Sequence, residues 1–167
     1  KQVLAEIDSP WTVAFQAQRG GPEAPVVFQK LSDWTTSTDP KIKYFSGTAT
    51  YTAAFKVKKL PQTPVYIDLG KVMVMAKVKV NGQYVGGVWT APYRLNITDA
   101  VKKGVNTVEV EVVNCWRNRL IGEKEAIPEA DRFTFQTSTY LNKDSELQAA
   151  GLLGPVQILS YDYKMVK

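Results

Sequence analysis

The residues best equipped for chemistry in this chain form one short run, Asn114-Cys115-Trp116-Arg117-Asn118-Arg119, followed by Glu123 and Glu125. Amides and guanidinium groups are directional hydrogen-bonding groups, and arginine carries five donors in a rigid fork. That set suits a ligand rich in hydroxyls, with Glu123 accepting from the same hydroxyls or pairing with an arginine. Sugar rings also carry apolar C–H faces that stack on flat aromatics. Trp89, Tyr93 and Trp116 are the aromatics to test for that role, and the first two fall between strands, where binding residues gather. The competing reading is structural. Trp89 and Tyr93 then plug the ends of a core, and the Asn114–Arg119 run satisfies the backbone of an irregular loop. Both readings stay open at this level. Trp11 and Trp34 sit beside strands with inward neighbours and read as core.

Other chemistry is constrained by what the chain lacks. It has 167 residues, a net charge of +5, one cysteine and no histidine. Without histidine it has neither the commonest general base nor the commonest metal ligand. Cys115 has no imidazole to activate it, so it reads as an inert, partly buried thiol. A lone cysteine also excludes an internal disulfide. Hydrolysis of a glycoside needs two carboxylates roughly 5 to 10 Å apart across the scissile bond. Glu123, Glu125, Glu129 and Asp131 are near one another, but acids gathered in a polar loop are common and do not by themselves specify a catalytic pair. No nucleophile elbow or phosphate loop is present. The lysines at 56, 58, 77 and 79 fall on the wet faces of expected strands, where they discourage edge pairing. No basic run or nucleic-acid motif accompanies them, so a nucleic acid is not expected as a partner. No apolar run approaches the ~18 residues of a membrane span. Asn96-Ile97-Thr98 matches a glycosylation sequon and reads as turn and cap chemistry.

The elements that must position these residues centre on 72–114. Val72, Val74, Ala76, Val78 and Val80 recur at every second place, opposite Lys77 and Lys79, which is the period of a half-buried strand. Asn81-Gly82 then predicts a tight hairpin, returning through Gln83 to Val85. Val108, Val110 and Val112 alternate with Glu109 and Glu111 as a second such strand. Between them, Thr98 to Gly104 reads as one helical turn with Thr98 as N-cap. Residues 10–15, 26–28, 45–57 and 65–69 are further strands. In the long one, Ala49, Tyr51, Ala53, Phe55 and Val57 share a face. Residues 114–130 are expected to be irregular. Arg132 to Thr137 is expected as a strand with Phe133 and Phe135 inward, and 142–150 as a polar stretch holding a turn of helix. Gly151 to Pro155 reads as a turn, and Val156 to Tyr163 as the last strand. Eight or more strands without a long amphipathic helix predict an all-β antiparallel sandwich or jelly roll, one domain over 1–167.

Several of these stretches resemble the galactose-binding-like jelly-roll domains that accompany glycoside hydrolases of the β-galactosidase/β-glucuronidase and bacterial α-L-rhamnosidase-like groups. The resemblance is carried by Trp34-Thr35, Tyr44-Phe45-Ser46-Gly47-Thr48-Ala49-Thr50-Tyr51 and Lys79-Val80-Asn81-Gly82-Gln83-Tyr84-Val85-Gly86. It continues through Trp89, Pro92-Tyr93, Asn96-Ile97-Thr98 and Gly104-Val105-Asn106. Asn118-Arg119-Leu120-Ile121-Gly122 and Gly151-Leu152-Leu153-Gly154-Pro155-Val156 point more narrowly to the rhamnosidase-like group. The resemblance implies a non-catalytic accessory domain, taken from a longer periplasmic or extracellular enzyme whose hydrolytic acids lie elsewhere. Its expected partners are the catalytic domain of the parent chain and a carbohydrate such as a rhamnose- or galactose-containing glycan. The expected contacts are Trp89, Tyr93, Trp116, Arg117, Asn118, Arg119 and Glu123, with no catalytic residue. Many such domains bind a structural calcium, so the resemblance allows a metal without assigning its ligands. The rivals are an interdomain scaffold without a ligand and a small autonomous hydrolase.

Overall fold

The structure, a computed structural model, describes residues 1–8, 10–137 and 140–161, apart from the Glu125 side chain. Its largest sheet has six strands in the order β3-β2-β4-β10-β7-β8. These are β2 (Trp11–Phe15), β3 (Val26–Phe28), β4 (Thr48–Val57), β7 (Met75–Val80), β8 (Gln83–Val88) and β10 (Gly104–Val113). The second sheet has four, β1-β12-β5-β9, with β1 at Gln2–Glu6, β5 at Val65–Asp68, β9 at Arg94–Asn96 and β12 at Gln157–Ser160. A third pair joins β6 (Lys71–Met73) to β11 (Gly151–Gly154). These strands pair antiparallel, and an isolated parallel bridge links Gly70 to Gly154.

Strand periodicity builds the sandwich. β4 buries Ala49, Tyr51, Ala53, Phe55 and Val57 as expected, while β10 and β7 bury Val108, Val110, Val112, Ala76, Val78 and Val80. These join Ile67 and Ile158 from the second sheet, and Leu69 just past β5, in a single core. Such alternation is what one dry face and one wet face require. At the hairpin, Asn81 (φ 51°) and Gly82 (φ 81°) are both left-handed, the conformation that matches the strands' own twist. Asn81 is fastened further. Its Nδ2 donates to Ala100 O and Asn106 Oδ1, both at 2.8 Å, and its Oδ1 accepts from Thr107 N at 3.0 Å.

Several expectations are corrected. The strand read from Val72 to Val80 is two strands in different sheets, because β6 pairs with β11 and β7 with β10. Gly151 to Gly154 is therefore a strand and not a turn. A strand at 2–6, with no clear alternation of its own, pairs with β12. Residues 98–100 form a hydrogen-bonded turn whose cap is Asn96: Thr98 N donates to Asn96 Oδ1 at 2.9 Å. Thr98 Oγ1 instead accepts from Val65 N at 3.0 Å. Residues 143–145 make a turn without helix, and the end of the expected last strand, Tyr163 included, lies outside the described residues.

The largest correction concerns 114–130, where Arg117–Glu125 is a helix, α2. A shorter one, α1, spans Pro40–Lys43. The side of α2 turned to the protein carries Asn118, Arg119, Ile121 and Glu123, all buried. A polar buried face leaves no apolar 3.6-residue period to detect. Residues 132–137 are not a strand either. Phe133 is 44% and Phe135 92% exposed, so the alternating phenylalanines face solvent. Among the described residues no helix is long and apolar enough to cross a membrane.

Candidate functional site

The helix α2 starts where β10 ends, and short side chains fix that corner. Asn114 Oδ1 accepts from Gly47 N at 3.0 Å, and its Nδ2 donates to Phe45 O at 2.9 Å. Ser46 Oγ donates to Cys115 O at 2.9 Å and accepts from Arg119 N at 3.3 Å. The helix therefore rests on the segment that leads into β4. Gly122 faces the Tyr44 ring so closely that a Cβ there would overlap it. Glycine is poor in a helix interior, so this close approach accounts for its place. The Cys115 thiol is exposed, correcting the expectation of a partly buried one, and donates to Gln148 Oε1 at 2.9 Å.

The polar residues expected to meet a sugar hold the protein's own backbone. Asn118 clasps Gln148 in both directions, Nδ2 donating to its carbonyl at 2.6 Å and Oδ1 accepting from its N–H at 2.8 Å. Arg117 Nε donates to Glu146 O at 3.0 Å. Arg119 and Glu123 form an ion pair of 2.8 Å, their side chains 4% and 6% exposed. Arg119 Nη2 also donates to Asp131 O at 2.7 Å, and its guanidinium lies 4.0 Å above the Phe133 ring. Glu123 accepts from the Phe133 and Thr134 N–H groups, both at 3.2 Å, and from the Thr134 hydroxyl. Burial alone would raise its carboxyl. The hydrogen bonds from Thr134, Arg119 and Phe133, with the guanidinium charge, outweigh burial and hold it below the usual range. Glu123 thus stays ionised and fully engaged, which is the opposite of a general acid.

The aromatics fare differently. Trp89 is 73% exposed just past the end of β8 and is free to stack. Tyr93 is half-buried against the core, closer to the plug reading. Trp116 is 43% exposed, with Phe133 edge-on at 6.1 Å and Arg19 5.5 Å over its ring. Ala76 is flanked by Val88 on one side and Val112 on the other, so Trp89 and Asn114 leave the sheet at the same end. They are two strand spacings apart, roughly 10 Å. The fold brings both groups to one end of the sandwich but not into one cavity.

A groove of about 630 Å³ lies beside α2, between segments 17–23, 39–41 and 126–133. Of the expected site residues only Arg119 lines it, with its Nη1 against Gly20, where a Cβ would come within 2.5 Å. Ile127, Pro128, Asp131 and Phe133 line it too, and sequence reasoning missed their role. The cue in the sequence is the Gly20-Gly21 pair, two residues without side chains where the groove opens. The calcium expectation finds no support in side chains. Among the described residues no three of His, Cys, Asp or Glu converge, whereas calcium takes six to eight oxygens and draws heavily on carboxylates.

A rhamnosidase structure from Novosphingobium sp. PP1Y superposes with a TM-score of 0.86 at 43% identity, over 94% of this chain and 15% of that one. A putative β-glucuronidase of Formosa agariphila is 40% identical over 158 residues, 80% of this chain and 14% of its own length. This chain therefore spans about one-seventh of either relative. The Ruminococcus gnavus β-glucuronidase shares the fold at a TM-score of 0.55 and 21% identity over 65% of this chain and 20% of that one. The long strands β4, β7 and β10, the Asn81-Gly82 corner and α2 all lie within residues 27–148, which match the glycosyl hydrolase 2 galactose-binding domain-like family, and the chain belongs to that family.

Proposed function

We propose that this chain is a non-catalytic domain of an α-L-rhamnosidase-like glycoside hydrolase, where it buttresses the catalytic domain and contacts the saccharide through Trp89. The carrying observation is the 43% identity, over 94% of this chain, with a rhamnosidase of which it spans only 15%. The state of Glu123 supports the division of labour: the acid best placed in sequence for catalysis is consumed in holding residues 133–134 to α2. Arg117, Asn118 and Arg119 are positioning residues for the loops they hold. An exposed tryptophan with an open face is what a sugar ring's C–H surface needs, and Trp89 offers it. Tyr93, half-buried four residues further on, orients that loop. The compartment we assign is periplasmic or extracellular, where polymeric glycans are met.

Calorimetric titration with rhamnose- and galactose-containing oligosaccharides tests the contact. Binding that is lost in Trp89→Ala, with an unchanged urea midpoint, is the expected result. No heat from the wild-type chain at millimolar ligand removes the sugar contact and leaves an interdomain scaffold, the reading favoured by the exposed Trp116, Phe133 and Phe135. Cleavage of aryl glycosides by the purified chain alone would overturn the whole assignment.

A further inference from the structure

The groove beside α2 has a character that the Trp89 contact does not explain. Its floor and walls are largely apolar: Gly20, Pro40, Ala126, Ile127, Pro128 and Phe133. It continues onto the exposed Trp116, whose ring meets that of Phe133. Contiguous apolar surface of this kind marks an interaction site. It is a poor sugar platform, because one face of Phe133 is covered by Arg119 at 4.0 Å and the ring also meets Trp116 at 6.1 Å.

Its charge narrows the partner. The chain carries a net +5, yet Glu23, Asp39 and Asp131 line the groove against Lys41 and Arg119. Arg119 is neutralised by Glu123 at 2.8 Å. The groove is therefore acidic on a basic domain, and attracts a cationic segment.

We infer that this groove receives a loop of the catalytic domain in the same longer protein, an apolar side chain seated against Ile127 and Phe133 and a lysine or arginine beside Asp131 and Glu23. The inference rests on the reading of the chain as one domain of a larger hydrolase. The relatives support an occupant in cis, since this chain makes up only 14% and 15% of their lengths. The Arg119–Glu123 pair gains a reason here. By fixing residues 131–134 it sets the wall that the loop meets.

Hydrogen exchange of the longer protein provides the test, comparing wild type with Ala126→Trp, which fills the groove from an exposed position, and with Asp131→Lys, which cancels the groove's negative charge. In the wild type, peptides covering 17–23 and 126–137 exchange slowly without added ligand and independently of protein concentration. Both variants speed that exchange at least tenfold, while peptides of β4 and β10 stay as they were. Three results overturn the inference: equal exchange in wild type and variants, protection that appears only on adding oligosaccharide, and protection that grows with protein concentration. Aryl-rhamnoside hydrolysis by the same samples separates the two readings. Turnover without groove protection sinks the docking alone, and groove protection without turnover sinks the hydrolase reading alone.

Discussion

Glu123→Gln is the sharpest perturbation of this domain, because one atom changes and four hydrogen bonds lose their acceptor charge. The carboxylate accepts from Arg119 Nε at 2.8 Å, from the Phe133 and Thr134 N–H groups at 3.2 Å, and from the Thr134 hydroxyl. A glutamine keeps one acceptor oxygen and turns an NH2 toward donors. It also strands the Arg119 guanidinium, whose side chain is only 4% exposed. Removing one partner of a buried ion pair costs about 3–5 kcal/mol. The retained amide oxygen places the expected loss near the low end, about 3 kcal/mol. With a urea m value of about 2 kcal/mol/M, the midpoint falls by roughly 1.5 M. Equilibrium unfolding followed by tryptophan fluorescence reads this directly. Acidification supplies an internal control. The folded carboxyl lies below its ordinary value, so its contribution is complete above the unfolded pKa of about 4.3 and is lost as pH falls through the folded one. The gap between wild type and variant should therefore narrow from pH 5 to pH 3. A loss under about 1 kcal/mol at pH 7, or a gap that widens in acid, refutes the account. A double-mutant cycle with Arg119→Met should show coupling above about 1 kcal/mol.

Further expectations follow the same reasoning. Tyr51→Phe strands the Trp34 indole N–H, which donates to its hydroxyl at 2.6 Å, and the Leu152 N–H at 3.3 Å, so a loss of about 2–4 kcal/mol is expected in urea unfolding. Burial pushes the Tyr51 hydroxyl up to about 12 from 10. Wild-type stability should therefore be full below pH 10 and decline toward pH 12 by about 3 kcal/mol, a decline the phenylalanine variant lacks. Asn81→Ala loses three hydrogen bonds and puts a Cβ residue without local support at φ 51°. A cost of about 3 kcal/mol is expected, with Asn81→Gly intermediate because it keeps the turn. Gly122→Ala should gain about 1 kcal/mol by helix propensity alone, but overlap with Tyr44 makes it destabilising by about 1–3 kcal/mol. A higher melting temperature would disprove the close approach.

The strands were legible wherever one face is dry and the other wet. β4, β7 and β10 each announce themselves by alternation, and Asn81-Gly82 needs its left-handed pair whatever surrounds it. Where side chains are buried for reasons other than hydrophobicity, the pattern fails. The helix α2 turns Asn118, Arg119 and Glu123 inward, and no apolar count marks it. The alternation Phe133–Phe135 mimics a strand, yet among the described residues it joins no sheet and Phe135 stands in solvent. Val72 to Val80 looks like one strand because the buried Val72, Ala76, Val78 and Val80 all fall on one alternation. Their division between two sheets depends on β11, nearly eighty residues later.

Local physical chemistry, read from residue order alone, determined the all-β class, the buried faces of the long strands and the corner at 81–82, since these rest on period and on φ preferences of neighbouring residues. Tertiary structure decided what the charged run after β10 is for. Arg119 and Glu123 were equally suited to a sugar or to each other. Only when the fold set Phe133, Thr134 and Asp131 above α2 did desolvation and converging donors commit the pair to the protein's own frame and leave Trp89 facing water.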